Sequence, residues 1–308
     1  MRTRLLAAFA AVYVIWGSTY LAIRFAVETL PPLLMAGARF TIAGLLLLLW
    51  SRLVQHAERP SRTDWRTGLM SGALLLLGGN GAVVWAETRV PSGIAALLVA
   101  VVPLWMVLLD WLRPGGRRPA APVFVGLALG LVGLGLLVGP DALHGGDGAV
   151  STVGALVLMA GSLSWAVGSL LTKQAPRPTT SINGSGTQMF AGGLCLLAAG
   201  TLVGELTRLD LGHVTPRSLL GFLYLVTFGS LVGFTAYFYL LSHTTAARAS
   251  TYAYVNPVVA VLLGWAFAHE PLTMRTMLAA AVILAGVAII TVARDSRVSP
   301  GMERREAA

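Results

Sequence analysis

The residue types able to do chemistry gather most densely in residues 249–271, where Ser250, Thr251, Tyr252, Tyr254 and Asn256 stand just before Pro257. Hydroxyl, phenol and carboxamide groups bind through hydrogen bonds and ring faces, and none is by itself a metal ligand set. Tyr252 and Asn256 are four residues apart, so a helix puts them on one face. Pro257 has no N–H, which removes the helical partner of the Ala253 carbonyl and predicts a break in the helix. Asn256 therefore reads two ways: as part of a binding wall, or as a cap for the carbonyl that Pro257 frees.

The same residue types recur at three other places. Trp16 and Tyr20, with Ser18 and Thr19 between them, share a face by the same four-residue spacing. Trp165 is flanked by Ser164 and Ser169, and Asn80 sits among Gly78, Gly79 and Gly81. Serine and threonine in apolar helices commonly bond back to their own main chain, so the aromatic rings and the two asparagines carry the reading. Three glycines around Asn80 make a poor helix and allow a close approach by another backbone. Asn80 either lines a cavity or bonds across to a second helix. Enzyme signatures are missing: there is no His-Glu-x-x-His, no phosphate-binding glycine loop and no cysteine cluster. The Asn183-Gly-Ser-Gly run lacks the strand that a nucleophile elbow needs. No catalytic residue, metal or cofactor is expected. The lone Cys195 excludes an internal disulfide and reads as a small apolar residue.

These residues lie in a chain that is 56% hydrophobic and 11% charged over 308 residues, with a mean hydropathy of +0.76. A soluble domain carries about 25% charged residues. The composition is that of an integral membrane protein. Ten apolar segments can be marked off, at about 5–24, 33–51, 68–87, 92–112, 122–139, 150–172, 184–204, 218–241, 249–268 and 274–293. The loops between them leave no room for a soluble domain. The stretch 5–23 is too long for a signal-peptide core and is expected to be the first membrane helix.

Charge sets the expected sidedness. Of 22 Lys and Arg, 16 fall in the N-terminus, the even-to-odd loops and the C-terminal tail, five fall on the other side, and Arg39 lies within the second segment. Basic loops stay in the cytoplasm, so both termini are expected there. The net charge of +9 thus needs no nucleic-acid partner. Charges near the membrane interior are expensive and mark sites worth testing. Arg39 is expected to snorkel toward the nearer membrane face, with Glu28 or Glu87 to pair with it. Either carboxylate, if desolvated, is placed to couple movement of a solute to protons.

The chain also repeats itself. Trp16–Arg24 aligns with Trp165–Lys173 at a shift of 149, Pro103 with Pro257 at 154, and Gly133 with Gly286 at 153. Each copy holds five segments, an odd number, so the second copy must run opposite to the first. In such inverted repeats the site lies near the midplane, at the repeat interface. Tyr252 and Asn256 align with Leu98 and Val102, so the fourth and ninth segments share a proline but differ in polarity. Gly126, Gly130, Gly133 and Gly135 in the fifth segment suit either internal packing or the seam of a homodimer.

Five stretches resemble the EamA branch of the drug/metabolite transporter superfamily, and within it YedA-like inner-membrane members. They are Trp16-Gly-Ser-Thr-Tyr to Arg24, Pro31 to Phe40, Gly79-Asn80-Gly81, Val90-Pro-Ser-Gly-Ile-Ala-Ala and Ala253 to Gly264. The resemblance covers about residues 5–293. It implies an all-α membrane protein of ten transmembrane helices in two inverted five-helix repeats, 5–139 and 150–293, with a cytoplasmic tail over 294–308. It implies residence in a bacterial-type inner membrane, and secondary-active export of small metabolites, amino acids or related solutes by alternating access. An uncoupled facilitator is the nearest alternative, and a non-transporting scaffold a more distant one. On the family plan the cavity is formed by helices 1, 3, 4, 6, 8 and 9. That plan assigns substrate contact to Trp16, Tyr20, Asn80, Trp165, Tyr252 and Asn256 and adds Tyr237 and Tyr239. Pro91, Gly93, Pro103 and Pro257 are the expected hinges. With no acidic residue at mid-depth, a neutral, zwitterionic or aromatic solute fits better than a strong cation.

Overall fold

The computed structural model describes residues 2–112, 121–138, 151–176, 178–243 and 252–306, which are helical with short turns and contain no strand. The expected segment ends at 139 and 150, the 113–120 loop and residues 249–251 lie outside the described residues. The described residues form ten helical rods. α1 runs through Arg2–Ala11, Val12–Trp16 and Gly17–Ala26; α2 is Pro32–Leu53; α3 runs through Arg62–Ser71, Gly72–Asn80 and Gly81–Ala86; α4 runs through Ser92–Val99 and Val102–Leu112. α5 is Ala121–Val138, α6 Thr152–Gln174 and α7 Ser181–Leu202. α8 runs through Pro216–Tyr224, Leu225–Val232 and Gly233–His243, α9 is Tyr252–Ala268 and α10 Met274–Glu306.

Local chemistry sets the starts of these helices. Pro32 and Pro216 occupy first-turn positions, where a missing N–H costs nothing. Ser61 and Asp64 form a capping box: Asp64 N–H donates to Ser61 Oγ at 3.1 Å and Ser61 N–H to Asp64 Oδ2 at 2.8 Å. The box starts α3 at Arg62, six residues before the apolar run at 68, so the helix is longer than its hydrophobicity suggests. Thr180 caps α7 and Ser151 caps α6 more simply, each side chain accepting one main-chain N–H, from Asn183 and Gly154.

Six apolar helical stretches are long enough to cross a bilayer: Thr3–Ala26, Pro32–Leu53, Arg62–Ala86, Ser92–Leu109, Thr152–Thr172 and Pro216–Tyr237. Large apolar side chains project outward from them, among them Leu156 at 64% and Leu220 at 67% exposure, which suits contact with lipid chains and not with water. This is a multi-pass membrane protein.

The rods pack in pairs that exchange under a shift of five helices. α1 packs on α8 as α6 packs on α3; α1 packs on α9 as α6 packs on α4; α7 packs on α3 as α2 packs on α8. α2 with α7 and α5 with α10 are self-related under the same exchange and make the longest contacts. Glycine permits the first of these. Gly37 and Gly44 on α2, and Gly186, Gly193 and Gly200 on α7, recur every seven residues. A Cβ on Gly37 would lie 2.7 Å from the Leu197 amide nitrogen, closer than real side chains come. The α5 glycines pack internally: Cβ atoms on Gly133 and Gly286 would meet Ile283 and the Gly126 carbonyl, whereas one on Gly135 would meet nothing within 4 Å.

Candidate functional site

Three of the rods contain π-helical turns: Val12–Trp16 in α1, Gly72–Asn80 in α3 and Leu225–Val232 in α8. A π-turn widens the helix by one residue per turn, re-aims side chains and is frequent at functional sites. Two of the three end on residues singled out above, Trp16 and Asn80, and the third carries Gly229 and Ser230. The third stands behind the wall, meeting Trp16 through the Gly229 carbonyl and Arg39 through Ser230, while Trp16, Gly79 and Asn80 of the first two line one cavity between the packed helices. It is lined by Trp16, Tyr20, Asn80, Trp165, Tyr252 and Asn256, together with Thr19, Arg39, Val83, Met106, Phe234 and the prolines Pro103 and Pro257.

The aromatic wall is tightly interlocked. Trp16 meets Phe234, Tyr237 and Tyr252 with ring centroids 5.2, 5.0 and 5.2 Å apart, and Tyr237 lies 5.7 Å from Tyr252. Trp16 Nε1 donates to the Gly229 carbonyl at 3.2 Å, which fixes the ring against the π-turn of α8. Tyr237 thus stands behind the lining residues and supports them. Tyr239 points elsewhere and stacks on His243 at 4.1 Å. The two tyrosines are two residues apart on a helix, about 200° around its axis, so they cannot share a face.

The glycines beside Asn80 have a packing reason. Ser164 Oγ donates to the Leu74 carbonyl at 2.8 Å, and a Cβ on Gly79 would lie 2.8 Å from the Trp165 ring. Gly78 and Gly79 let α6 close onto α3, which brings Trp165 and Asn80 into one cavity. Asn80 Oδ1 is buried there with no hydrogen-bond partner. Asn256 differs. With its amide turned to satisfy both groups, Nδ2 donates to the Tyr252 and Tyr13 carbonyls at 3.2 Å each, tying α9 to the π-turn of α1. The smaller hydroxyls bond locally: Thr19 Oγ1 to Trp16 O at 2.6 Å and Ser169 Oγ to Trp165 O at 2.7 Å.

One expectation about the prolines is corrected. α9 continues through Pro257 without interruption, with Asn256 donating to the neighbouring Tyr252 carbonyl. It is α4 that breaks, at residues 100–101 just before Pro103, where Leu104 N–H turns to the Val101 carbonyl at 2.9 Å. Both prolines line the cavity.

The charged residues are also rearranged relative to expectation. Arg39 does not snorkel. It is 2% exposed, its Nε donates to Ser230 Oγ at 2.9 Å, and its guanidinium lies 4.5 Å from the centre of the Phe40 ring. Its Nη1 is buried with no partner. Ala36, Arg39, Phe40 and Ala43 have the i, i+3, i+4, i+7 spacing of one helix face, and all four are buried. That register was the signal by which sequence reasoning could have placed Arg39 inside. Glu28 pairs with Arg217 at 3.5 Å instead, on the surface. Glu87, on the turn after α3, is fully buried, and neither carboxylate oxygen has a hydrogen-bond partner. Arg24 Nη1 donates to the Glu87 main-chain carbonyl at 3.0 Å.

Glu270 makes a side-chain link between α4 and the segment after α9. Its Oε1 accepts from Ser92 N–H at 2.7 Å and its Oε2 from Gly93 N–H at 3.1 Å. Pro91 precedes α4 and offers no side-chain cap, so the carboxylate satisfies two of the free N–H groups at that positive helix end. Gly93 and Gly264 are small where α4, α9 and Glu270 meet: a Cβ on Gly93 would lie 3.0 Å from Val261 Cα. Pro91 and Gly93 therefore sit at this joint and not in the cavity. No group of His, Cys, Asp and Glu among the described residues is arranged to hold a metal.

Comparison with known proteins agrees with this architecture. The signature of the EamA-like transporter family matches residues 3–139 and 152–292. The "Uncharacterized inner membrane transporter YedA" of Escherichia coli (strain K12) is 42% identical over 295 residues, covering 94% of this chain and 91% of its own. "Protein PecM" of Dickeya dadantii (strain 3937) is 30% identical, covering 90% of this chain and 88% of its own. A solved structure titled "Crystal structure of protein" shares the fold, with a TM-score of 0.63 at 21% identity over 97% of this chain and 99% of that one.

Proposed function

The chain belongs to the EamA-like transporter family as a YedA-like member of the drug/metabolite transporter superfamily, and we propose that this membrane transporter is a secondary-active exporter of small metabolites. The observation that carries the reading is the cavity itself. It lies between α1–α4 on one side and α6, α8 and α9 on the other, and both halves contribute aromatic and amide groups to its wall. A site at such a seam is exposed to one side or the other as the halves rock. Ten membrane spans in two inverted repeats, over 5–139 and 150–293, account for the exchange of helix pairs. The bias of Lys and Arg supports an inner-membrane protein with both termini, and the 294–308 tail, in the cytoplasm. Interlocked rings and two amides suit a neutral, zwitterionic or aromatic solute.

Glu87 is our candidate for proton coupling. An unpaired ionised carboxylate in a buried place costs several kcal/mol, so its occupancy by a proton would bias the packing around it. The groups that act on it are Tyr20 and Arg24 of α1 and Glu270 of the α4 joint. Tyr20 lines the cavity, which gives solute and proton a shared neighbour.

Reconstitution in sealed proteoliposomes tests the reading. Counterflow of amino acids and aromatic solutes is expected, with Tyr252→Ala and Asn256→Ala each cutting the initial rate by about tenfold or more, as for loss of a buried contact. Unchanged rates in both variants would remove the site. An imposed pH gradient is expected to drive wild-type transport and not Glu87→Gln. Wild-type transport indifferent to the gradient would instead mean an uncoupled facilitator.

A further inference from the structure

Among the described side chains, the cavity wall contains one permanent charge, and it is unmatched. Arg39 reaches the cavity at 2% exposure with one of its five N–H donors on Ser230 and with Nη1 buried and unpaired. Among the described side chains, the acidic residues near the spans are engaged or placed elsewhere. Glu28 is on Arg217, Asp64 on Ser61 and Thr179, Glu205 on the Leu34 amide, and Glu270 on Ser92 and Gly93. Glu87 has Arg24, Tyr20 and Glu270 as its charged and titratable neighbours, and Arg39 is not among them. A buried cation with no counter-charge is costly unless something supplies one.

The geometry around Arg39 is that of a held binding group. Nε donates to Ser230 Oγ of α8, the guanidinium carbon lies 4.5 Å from the centre of the Phe40 ring, and Nη2 packs against Gly229, where a Cβ would come 3.0 Å from it. A guanidinium fork matches a carboxylate, and here its Nη1 is covered, so a solute reaches it only as the contacts over it part. The rest of the wall is apolar or aromatic, with Trp16, Val83, Met106, Trp165 and Phe234.

We propose that Arg39 is the anion-binding group of this cavity and that the transported solute carries a carboxylate on an apolar, ring-sized body. This rests on the cavity being the transport site. It replaces the neutral part of the proposed solute class with compounds that carry a carboxylate on an aromatic or apolar body, and it assigns the charge recognition to α2, a helix the family plan leaves out of the cavity.

The test uses the full chain in lipid nanodiscs and two near-isosteric probes, 3-phenylpropionate and 3-phenylpropionamide, read by tryptophan fluorescence and by ligand-induced thermal shift. At pH 7.5 the acid is ionised and the amide neutral. The wild type is expected to bind the acid about tenfold or more tightly than the amide, the discrimination expected for a charge-assisted hydrogen-bonded pair. Arg39→Gln is expected to bring that ratio to near one while leaving amide affinity within about twofold, and Arg39→Lys to keep part of the preference. A merely structural Arg39 would lower thermal stability in the variants and leave the acid-to-amide ratio untouched, which overturns the proposal. Equal wild-type affinity for the two probes overturns it as well, and that comparison stands even if Arg39→Gln does not fold. If neither probe perturbs the wild type, the cavity reading fails together with this one; amide binding without acid preference refutes the carboxylate alone.

Discussion

Asn80 and Asn256 look equivalent as residue types, and both line the cavity, yet their partners differ. Asn80 Oδ1 is buried without an acceptor's partner, whereas the Asn256 amide braces two carbonyls on two helices. Removing a satisfied buried group orphans what it bonded, at about 1–3 kcal/mol. Removing an unsatisfied one orphans nothing. Asn256→Ala is therefore expected to lower the melting temperature by several degrees as well as to weaken solute binding. Asn80→Ala is expected to leave the melting temperature nearly unchanged and to weaken binding alone. Paired thermal-melt and binding measurements check this; equal melting losses in both would show that Asn80 is a packing residue.

At the scale of elements, the seam of α2 with α7 depends on hydrogen atoms where other residues have side chains. A Cβ on Gly193 would lie 2.5 Å from the Thr41 amide nitrogen, and a backbone atom cannot rotate out of the way. Overpacking of this kind costs about 1–3 kcal/mol for even small additions. Gly193→Ala is expected to lower the melting temperature and the yield of monodisperse protein, and Gly193→Val to do so more severely. Gly135→Ala, with open space at the same atom, is expected to be neutral or mildly stabilising, since alanine favours helix. Size-exclusion profiles and melts of the three variants decide it; a tolerant Gly193 would mean that the two helices separate readily.

For the whole molecule, the joint between the halves at Glu270 is the natural place for a conformational latch. The carboxylate crosses from the segment after α9 to the first turn of α4, where it meets two N–H groups and the positive helix end. In the proposed rocking of the two halves these bonds part. Glu270→Ala is expected to raise amide exchange at Ser92 and Gly93 by about tenfold, the loss of about 1.4 kcal/mol of protection. Protection in the middle of α2 and α7 should stay as it was. Unchanged exchange at Ser92 and Gly93 would show that other contacts hold α4 in place.

The amino-acid sequence by itself determined the membrane class, the apolar segments and the polar positions on the first, third, sixth and ninth of them. Those are properties of run length, charge and i, i+4 spacing, and Trp16, Tyr20, Asn80, Trp165, Tyr252 and Asn256 all proved to line one cavity. What a side chain meets across a helix interface is not written in its own segment. The register of Ala36, Arg39, Phe40 and Ala43 already points Arg39 inward, but only the tertiary structure decided that Ser230 of α8 meets it. It likewise decided that Glu28 goes to Arg217 and that Glu270 caps α4. The two aligned prolines behave differently for the same reason. Asn256 braces α9 against α1 beside Pro257. Its aligned position before Pro103 is Val102, which has no polar group to offer, and there the helix breaks.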